Sequence, residues 1–397
     1  MPVQRIYLDH AATTPVRPEV REAMLPFLSD EAFGNPSSPH WFGRMARAGL
    51  EAARKRVAEA LGVEVRDVLF TSGGTEADNL AILGSAMAAC GGKDLSGAHI
   101  VATPIEHKAV LAALHEAERL GAKTTLLPVD SRGVVTLDAL DKVLSGTPKP
   151  TIVSVMWVNN ETGVLQPAEE IAGRCAEAGV PFHTDAVQAF GKVPMRLDRA
   201  GGVSFCSISA HKIGGPKGVG AIVVRGRKGV HPLIHGGGQQ GGLRPGTENV
   251  PGAVALGVAA QLAVEEQPAT FARLAAIRDA TQAEIKARVS DLVVHGEGAP
   301  RGPNILHMSA PGTDSEAMLM HLDLAGLACA SGSACQTGSV EPSHVLTGMG
   351  TPRDIAIAAV RMSFGSLSSG DQVPRIAEGF EQVVTKVRAL RAVLARA

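Results

Sequence analysis

A chain of 397 residues has room for one large domain plus a smaller one, each with its own buried core. A hydrophobic content of 45%, a charged content of 19% and a formal net charge of -1 describe an ordinary globular protein and argue against a surface built for nucleic acid or an anionic membrane. Aromatic residues, at 3%, are too scarce for a base-stacking platform.

The first fifteen residues contain Arg5, Asp9 and His10 and lack the apolar run of a signal peptide. Val68–Thr71 reads as a strand, with a helix over 76–89 after it. A second strand over 99–103 leads into a helix over 106–120, closed by Gly121. Thr151–Val158 reads as a buried strand, 168–178 as a helix ending at Gly179, and 180–184, 203–209 and 219–224 as further strands. Strands alternating with helices imply an α/β fold with a mostly parallel sheet covered on both faces. The longest apolar stretch, 253–264, is short for a membrane span and is interrupted by Gly257 and Gln261. Beyond it come a charged helix (271–289), short strands at 292–295 and 304–308, a helix near 315–322 and a closing helix from Asp371, together a smaller α+β unit. The glycine-rich piece 236–242 reads as a mobile loop over a site.

Five scattered cysteines (Cys90, Cys175, Cys206, Cys329, Cys335) make no disulfide framework, and a reducing cytoplasm fits them. Three segments carry possible chemistry. Thr71-Ser72-Gly73-Gly74-Thr75-Glu76 runs from strand to helix through two glycines. It either cradles a phosphate on free N–H groups or is a tight turn with Thr75 as N-cap. Asp185 closes a buried strand, where α/β sheets bind ligands; it either pairs with a protonated pyridine nitrogen or caps the next helix. Lys212 sits between a strand and a Gly/Pro turn, where a lysine is either a Schiff-base amine of lowered pKa or a surface charge. His183 beside Asp185 is weak evidence for a metal, and no metal site is expected.

The motifs together are more specific. Gly74-Thr75, Glu106-His107-Lys108, Asn159-Asn160-Glu161, Asp185-Ala186-Val187-Gln188 and Ser209-Ala210-His211-Lys212 occur in the order and spacing of the cysteine desulfurases, which are pyridoxal-phosphate enzymes of the class V aminotransferase group. Tyr7–Pro15, Phe33–Ser38, Arg244–Asn249 and Ser331–Cys335 followed by Glu341–Leu346 resemble further segments of that family, the last of its iron–sulfur-cluster type. Ala210 stands where glycine is usual, Gly214 where a larger residue is frequent, and Gln336-Thr337-Gly338 departs mildly from the usual continuation.

The resemblance, which runs from residue 6 to about 366, implies the aspartate-aminotransferase fold (fold type I), with a large domain over 16–263 and a small one from 1–15 and 264–397. It implies that Lys212 forms the internal aldimine and that Gly74, Thr75, Ser209 and His211 bind the phosphate, with Thr247 joining from a partner subunit. Asp185 would pair with the pyridine nitrogen, Gln188 with the ring hydroxyl, Asn160 beside it, and His107 would stack on the ring and move protons. Arg361 and Asn35, with Asn160, would hold the carboxylate of L-cysteine. Cys335, on an arm of small residues that suits movement, would take the sulfur as a persulfide and could ligate a cluster transiently. The implied partners are a second copy of the chain and a sulfur-acceptor or iron–sulfur scaffold protein; a selenocysteine lyase, an aminotransferase or a non-catalytic scaffold are the rival readings.

Overall fold

The computed structural model describes residues 5–332 and 341–394. In chain order the principal elements begin with β1 (Ile6–Tyr7), α1 (Pro18–Met24), α2 (Trp41–Leu61), β2 (Val68–Thr71), α3 (Gly74–Cys90) and β3 (His99–Ala102). Next come α4 (Lys108–Arg119), β4 (Lys123–Leu126), α5 (Leu137–Leu144), β5 (Ile152–Ser154), α6 (Ala168–Glu177), β6 (Phe182–Asp185), β7 (Val203–Ser209) and β8 (Gly220–Val224). The chain then forms α7 (Val250–Glu265), α8 (Gln267–Arg288), β9 (Val293–Val294), β10 (Ile305–Ser309), α9 (Ser315–Leu324) and β11 (Leu327–Ala328). It closes with α10 (His344–Gly348), α11 (Arg353–Ala356), β12 (Ala359–Ser363) and α12 (Val373–Leu394).

The main sheet has seven strands in the order β2-β8-β7-β6-β5-β3-β4. Only β8 runs against its neighbours, pairing antiparallel with both β2 and β7. The α/β architecture with a mostly parallel sheet therefore matches the expectation. Central strands buried along their whole length, such as the Gly-Ala-Ile-Val-Val of β8, reflect a sheet covered on both faces. One cover is the pair α2 and α7. α7 is apolar around most of its circumference, which is the pattern of a helix buried on all sides and not of a surface helix. At Gly257 a Cβ would lie 2.8 Å from the Cα of Ala53, so glycine lets α7 approach the α2 backbone.

A smaller sheet, β12-β10-β9, is antiparallel throughout and packs under α8, α9 and α12. The start of the chain joins this unit. β1 pairs in parallel with β11, and Ile6 and Leu8 enter the same hydrophobic core as Phe364 and Phe380.

Some local expectations need correction. The helix after β2 starts at Gly74 with Gly73 as its N-cap, so Thr75 is inside the helix and is not its cap. The strand expected over 151–158 is regular only through Ser154: beyond it the Met156 N–H goes to the buried Glu106 carboxylate (3.0 Å) and not to β3, while the Val155 and Trp157 N–H groups still reach the carbonyls of His183 (3.1 Å) and Asp185 (3.0 Å) on β6. The piece 236–242 is fastened: the buried Gln240 side chain receives Arg54 (2.8 Å) and the Phe70 N–H (3.2 Å), so it is no free loop over the site. The helices α2, α5 and α7 and the strand β4 were not expected from the sequence.

Candidate active site

A parallel sheet leaves its strand ends free at one edge, and five of these ends converge on one cleft of about 450 Å³. β2 delivers Gly74 and Thr75, the turn after β3 delivers His107, and the segment after β5 delivers Met156, Val158 and Asn160. β6 ends on Asp185, with Gln188 in the following turn, and β7 ends on Ser209, with His211 and Lys212 next. The smaller unit closes the cleft with Asp9, Ala11, Ala12, Ala330, Gly332 and Arg361.

Lys212 emerges from a short 3-10 turn, and its Nζ donates to the carbonyl oxygens of Ala11 (2.7 Å) and Ala12 (2.8 Å). Burial, then the neighbouring Arg361, push its amine down to about 8, with Asp185 and Asp9 opposing. An amine in that range is partly a free base at neutral pH and can attack a carbonyl carbon.

Asp185 is buried; its Oδ1 accepts the Val187 N–H at 2.9 Å, so the capping alternative is realised as a local turn while the carboxylate still lines the cleft. Burial raises this carboxyl, and His107, Lys212 and Lys192 oppose the rise. His107 caps α4, accepting the Ala109 N–H at 3.2 Å; burial lowers its imidazole pKa and Asp185 opposes that. Arg361, on β12, donates through Nη1 to the Asn160 carbonyl (2.9 Å) and through Nη2 to Asp9 (2.9 Å). Among the described residues, its Nε and the Asn160 Oδ1 are buried without a hydrogen-bond partner. Both residues line the cleft, and a buried polar group without a partner calls for one.

The remaining wall suits a phosphate. Free N–H groups at the start of α3 meet Ser209, and a Cβ at Gly73 would point to within 4.0 Å of the Ser209 Oγ. His211 lies beside it with Nδ1 3.2 Å from the Thr13 hydroxyl. A phosphate cradle, a carboxylate, an amine and unspent donors around one cavity fit the donor set that pyridoxal phosphate requires.

Residues 6–376 match the aminotransferase class-V family. A cysteine desulfurase IscS of Dictyoglomus turgidum is 43% identical over 388 residues, covering 98% of this chain and 96% of the relative. The chain belongs to the cysteine desulfurases of the class-V aminotransferases. A cysteine desulfurase of Cereibacter sphaeroides is 45% identical over 392 residues, 98% of each chain. Among solved structures, a NifS-like protein superposes with a TM-score of 0.87 at 35% identity, covering 96% of this chain and 100% of its own. The structure of SspA in complex with cysteine gives a TM-score of 0.77 at 33% identity, covering 90% of this chain and 98% of its own.

For a cysteine desulfurase, two residues expected at the site stand apart in the single chain. Asn35 is exposed, accepts the Ser37 N–H (2.9 Å) and is not among the residues lining the cleft. Thr247 is exposed and outside the cleft lining too. Cys335 lies outside the described residues. The four described cysteines are free, and burial pushes the Cys175 thiol up to about 12, which suits an inert packing role.

Two residues have no counterpart among the sequence motifs. Lys192 is buried in the turn after β6, donates to the Gln188 Oε1 at 2.7 Å, and is lowered to about 7 by burial and by Lys212. With Oε1 so occupied, the Gln188 amide turns its nitrogen to the Ala11 carbonyl (2.8 Å). Asp78, on α3, faces the cleft beside Asp185. Neither carries a local motif; a lysine four residues after the glutamine and an acid one turn into a helix were the available signals.

Proposed function

We propose that this protein takes sulfur from L-cysteine with the help of pyridoxal phosphate, releases L-alanine and carries the sulfur as a persulfide on Cys335. The observation that carries the reading is the convergence of the Lys212 amine, the Asp185 carboxylate and the Arg361 guanidinium on one cleft. Bound there, pyridoxal phosphate would supply an electron sink for negative charge at the amino acid's Cα.

The chain's own residues do the rest. The N–H groups at Gly74 and Thr75, with the Ser209 hydroxyl and His211, would bind the phosphate, and Thr247 of a second copy would complete that shell. Asp185 would accept a hydrogen bond from the protonated ring nitrogen, and Gln188, its amide oriented by Lys192, would serve the ring hydroxyl. His107, on the cleft wall, would contact the ring and relay protons. Lys212 would hold the cofactor and, once displaced by the amino group of the substrate, would remove the Cα proton. Arg361, with Asn160 and Asn35, holds the substrate carboxylate. The Cys335 thiolate attacks the substrate sulfur: an S–S bond forms as the Cβ–S bond breaks, with the electron pair leaving toward carbon.

A homodimer is supported by an exposed apolar group near the start of α2, where Phe33 (62%), Trp41 (53%) and Phe42 (41%) lie in solvent. The division into residues 16–263 and 1–15 with 264–397 is supported by the joining of β1 to β11. Among the described residues no helix is long and apolar enough to cross a membrane. With free cysteines, this favours a cytoplasmic setting, and the sulfur acceptor is a cluster-assembly or thiolation protein.

The test is turnover of L-cysteine by the purified holoenzyme and by Cys335→Ser. Alanine and protein-bound persulfide from the wild type, with both lost and the yellow cofactor kept in the variant, is the expected result. Undiminished sulfide release by Cys335→Ser points to a lyase that needs no enzyme thiol. A colourless protein that captures no pyridoxal phosphate removes the reading altogether.

A further inference from the structure

We propose that Asp78 is a positioning residue: a neutral buried acid that donates a hydrogen bond to Asp185 and so fixes the carboxylate facing the cofactor's ring nitrogen. The inference rests on the cofactor reading and extends it to a residue outside that reading.

Asp78 occupies the first turn and a half of α3, below the phosphate cradle, and is 1% exposed. Each of Asp78, Asp185 and His107 has a polar atom within 4.8 Å of the others'. Among the described residues, the Asp78 Oδ1 is buried with no hydrogen-bond partner. Two carboxylates this close, out of water, cannot both ionise without a cation between them; one takes a proton and becomes a donor.

The surroundings decide which one. From β6, His183 approaches Asp78 Oδ1 at 3.6 Å, but its ring nitrogens are engaged with Ser154 (2.8 Å) and Ser207 (3.0 Å). Burial lowers that imidazole to about 3, so it brings no charge. From β7, the Ser207 hydroxyl also reaches Asp78. From the turn before α4, Glu106 adds a further acid. Burial first, then Asp185 and Glu106, raise the Asp78 carboxyl well above the usual range, and the Ser207 hydroxyl alone opposes. Lys212, Lys192 and His107 act instead on Asp185. Asp185 therefore keeps the negative charge, and Asp78 keeps the proton. A donor beside Asp185 fixes its orientation, as outer partners fix ligands elsewhere.

The experiment compares Asp78→Asn, Asp78→Ala and Asp78→Leu holoenzymes, reading the cofactor's dissociation constant and the pH midpoint of its visible band. Asparagine is neutral, nearly isosteric and a donor, so it should stay within about twofold of wild type in affinity. Alanine and leucine should weaken binding about tenfold, the size of one charged hydrogen bond, and move the midpoint upward by about half a unit, because Asp185 then holds a fuller charge. In an Asp185→Ala background the same substitutions should change nothing further. Thermal melting of each apoprotein separates misfolding from weakened binding; two truncations are included so that one folds. Asparagine as damaging as leucine, or alanine and leucine both like wild type, overturns the proposal. So does a bound divalent cation whose removal by a chelator shifts the visible band. Wild-type protein that fails to bind pyridoxal phosphate overturns the functional reading instead, which keeps the two failures distinct.

Discussion

The two poles of the cleft face the same physical problem and solve it differently. On one side Asp78, Glu106 and Asp185 are withdrawn from water; on the other, Lys192 and Arg361 are, with Lys212 half-buried. Burial disfavours charge of either sign, raising the acids and lowering the lysines. The acids cope by protonation and by collecting donors: Glu106, raised to about 8 by burial, takes the Thr103 hydroxyl (2.6 Å) and the Met156 N–H. The cations lean on oxygens that carry no full charge, those of Ala11, Ala12, Asn160 and Gln188, with Asp9 as the exception. Acids that share protons make a fixed floor. Cations held by neutral oxygens remain reactive.

Substitutions at the basic pole give the largest effects. Lys212→Ala should lower the rate of alanine formation by about 10³-fold or more and let the cofactor wash out on dialysis; retained colour and turnover would mean that another amine holds it. Arg361→Lys should raise KM for L-cysteine by about tenfold to a hundredfold with a smaller change in kcat, since a single ammonium replaces a planar fork. A pH series on the apoprotein sharpens the contrast. Capture of pyridoxal phosphate should accelerate as pH rises through about 8, where Lys212 gives up its proton. Arg361→Leu should move that midpoint upward, because it removes the cation that helps hold it down. Within that pole the smallest effect belongs to Lys192→Met. Loss of its hydrogen bond frees the Gln188 amide to rotate, and cofactor affinity should fall by about threefold to tenfold in a fluorescence titration.

The same division marks what the sequence revealed. Residues at strand ends, such as Asp185 after Phe182–Thr184 and Lys212 after β7, announce themselves because a buried apolar run stops at a polar residue on a turn. The parallel sheet was legible for the same reason. Asp78 lies inside a helix whose other residues are mostly small and apolar, and Lys192 follows a turn with no repeating pattern, so their proximity to the site appears only when β6, β7 and α3 are packed together. α7 escaped notice because a helix apolar on nearly every side has no amphipathic period to detect. The turning of the Met156 N–H to Glu106 likewise depends on a residue far away in the chain.

Lys212 rests against two peptide oxygens, those of Ala11 and Ala12. Every residue type carries that atom, so replacing either alanine leaves the acceptor in place. The resting state of the reactive amine is thereby shielded from side-chain drift and exposed to insertions or deletions that slide the segment between β1 and Thr13. A one-residue insertion there would disturb this enzyme more than many exchanges at the rim of the cleft.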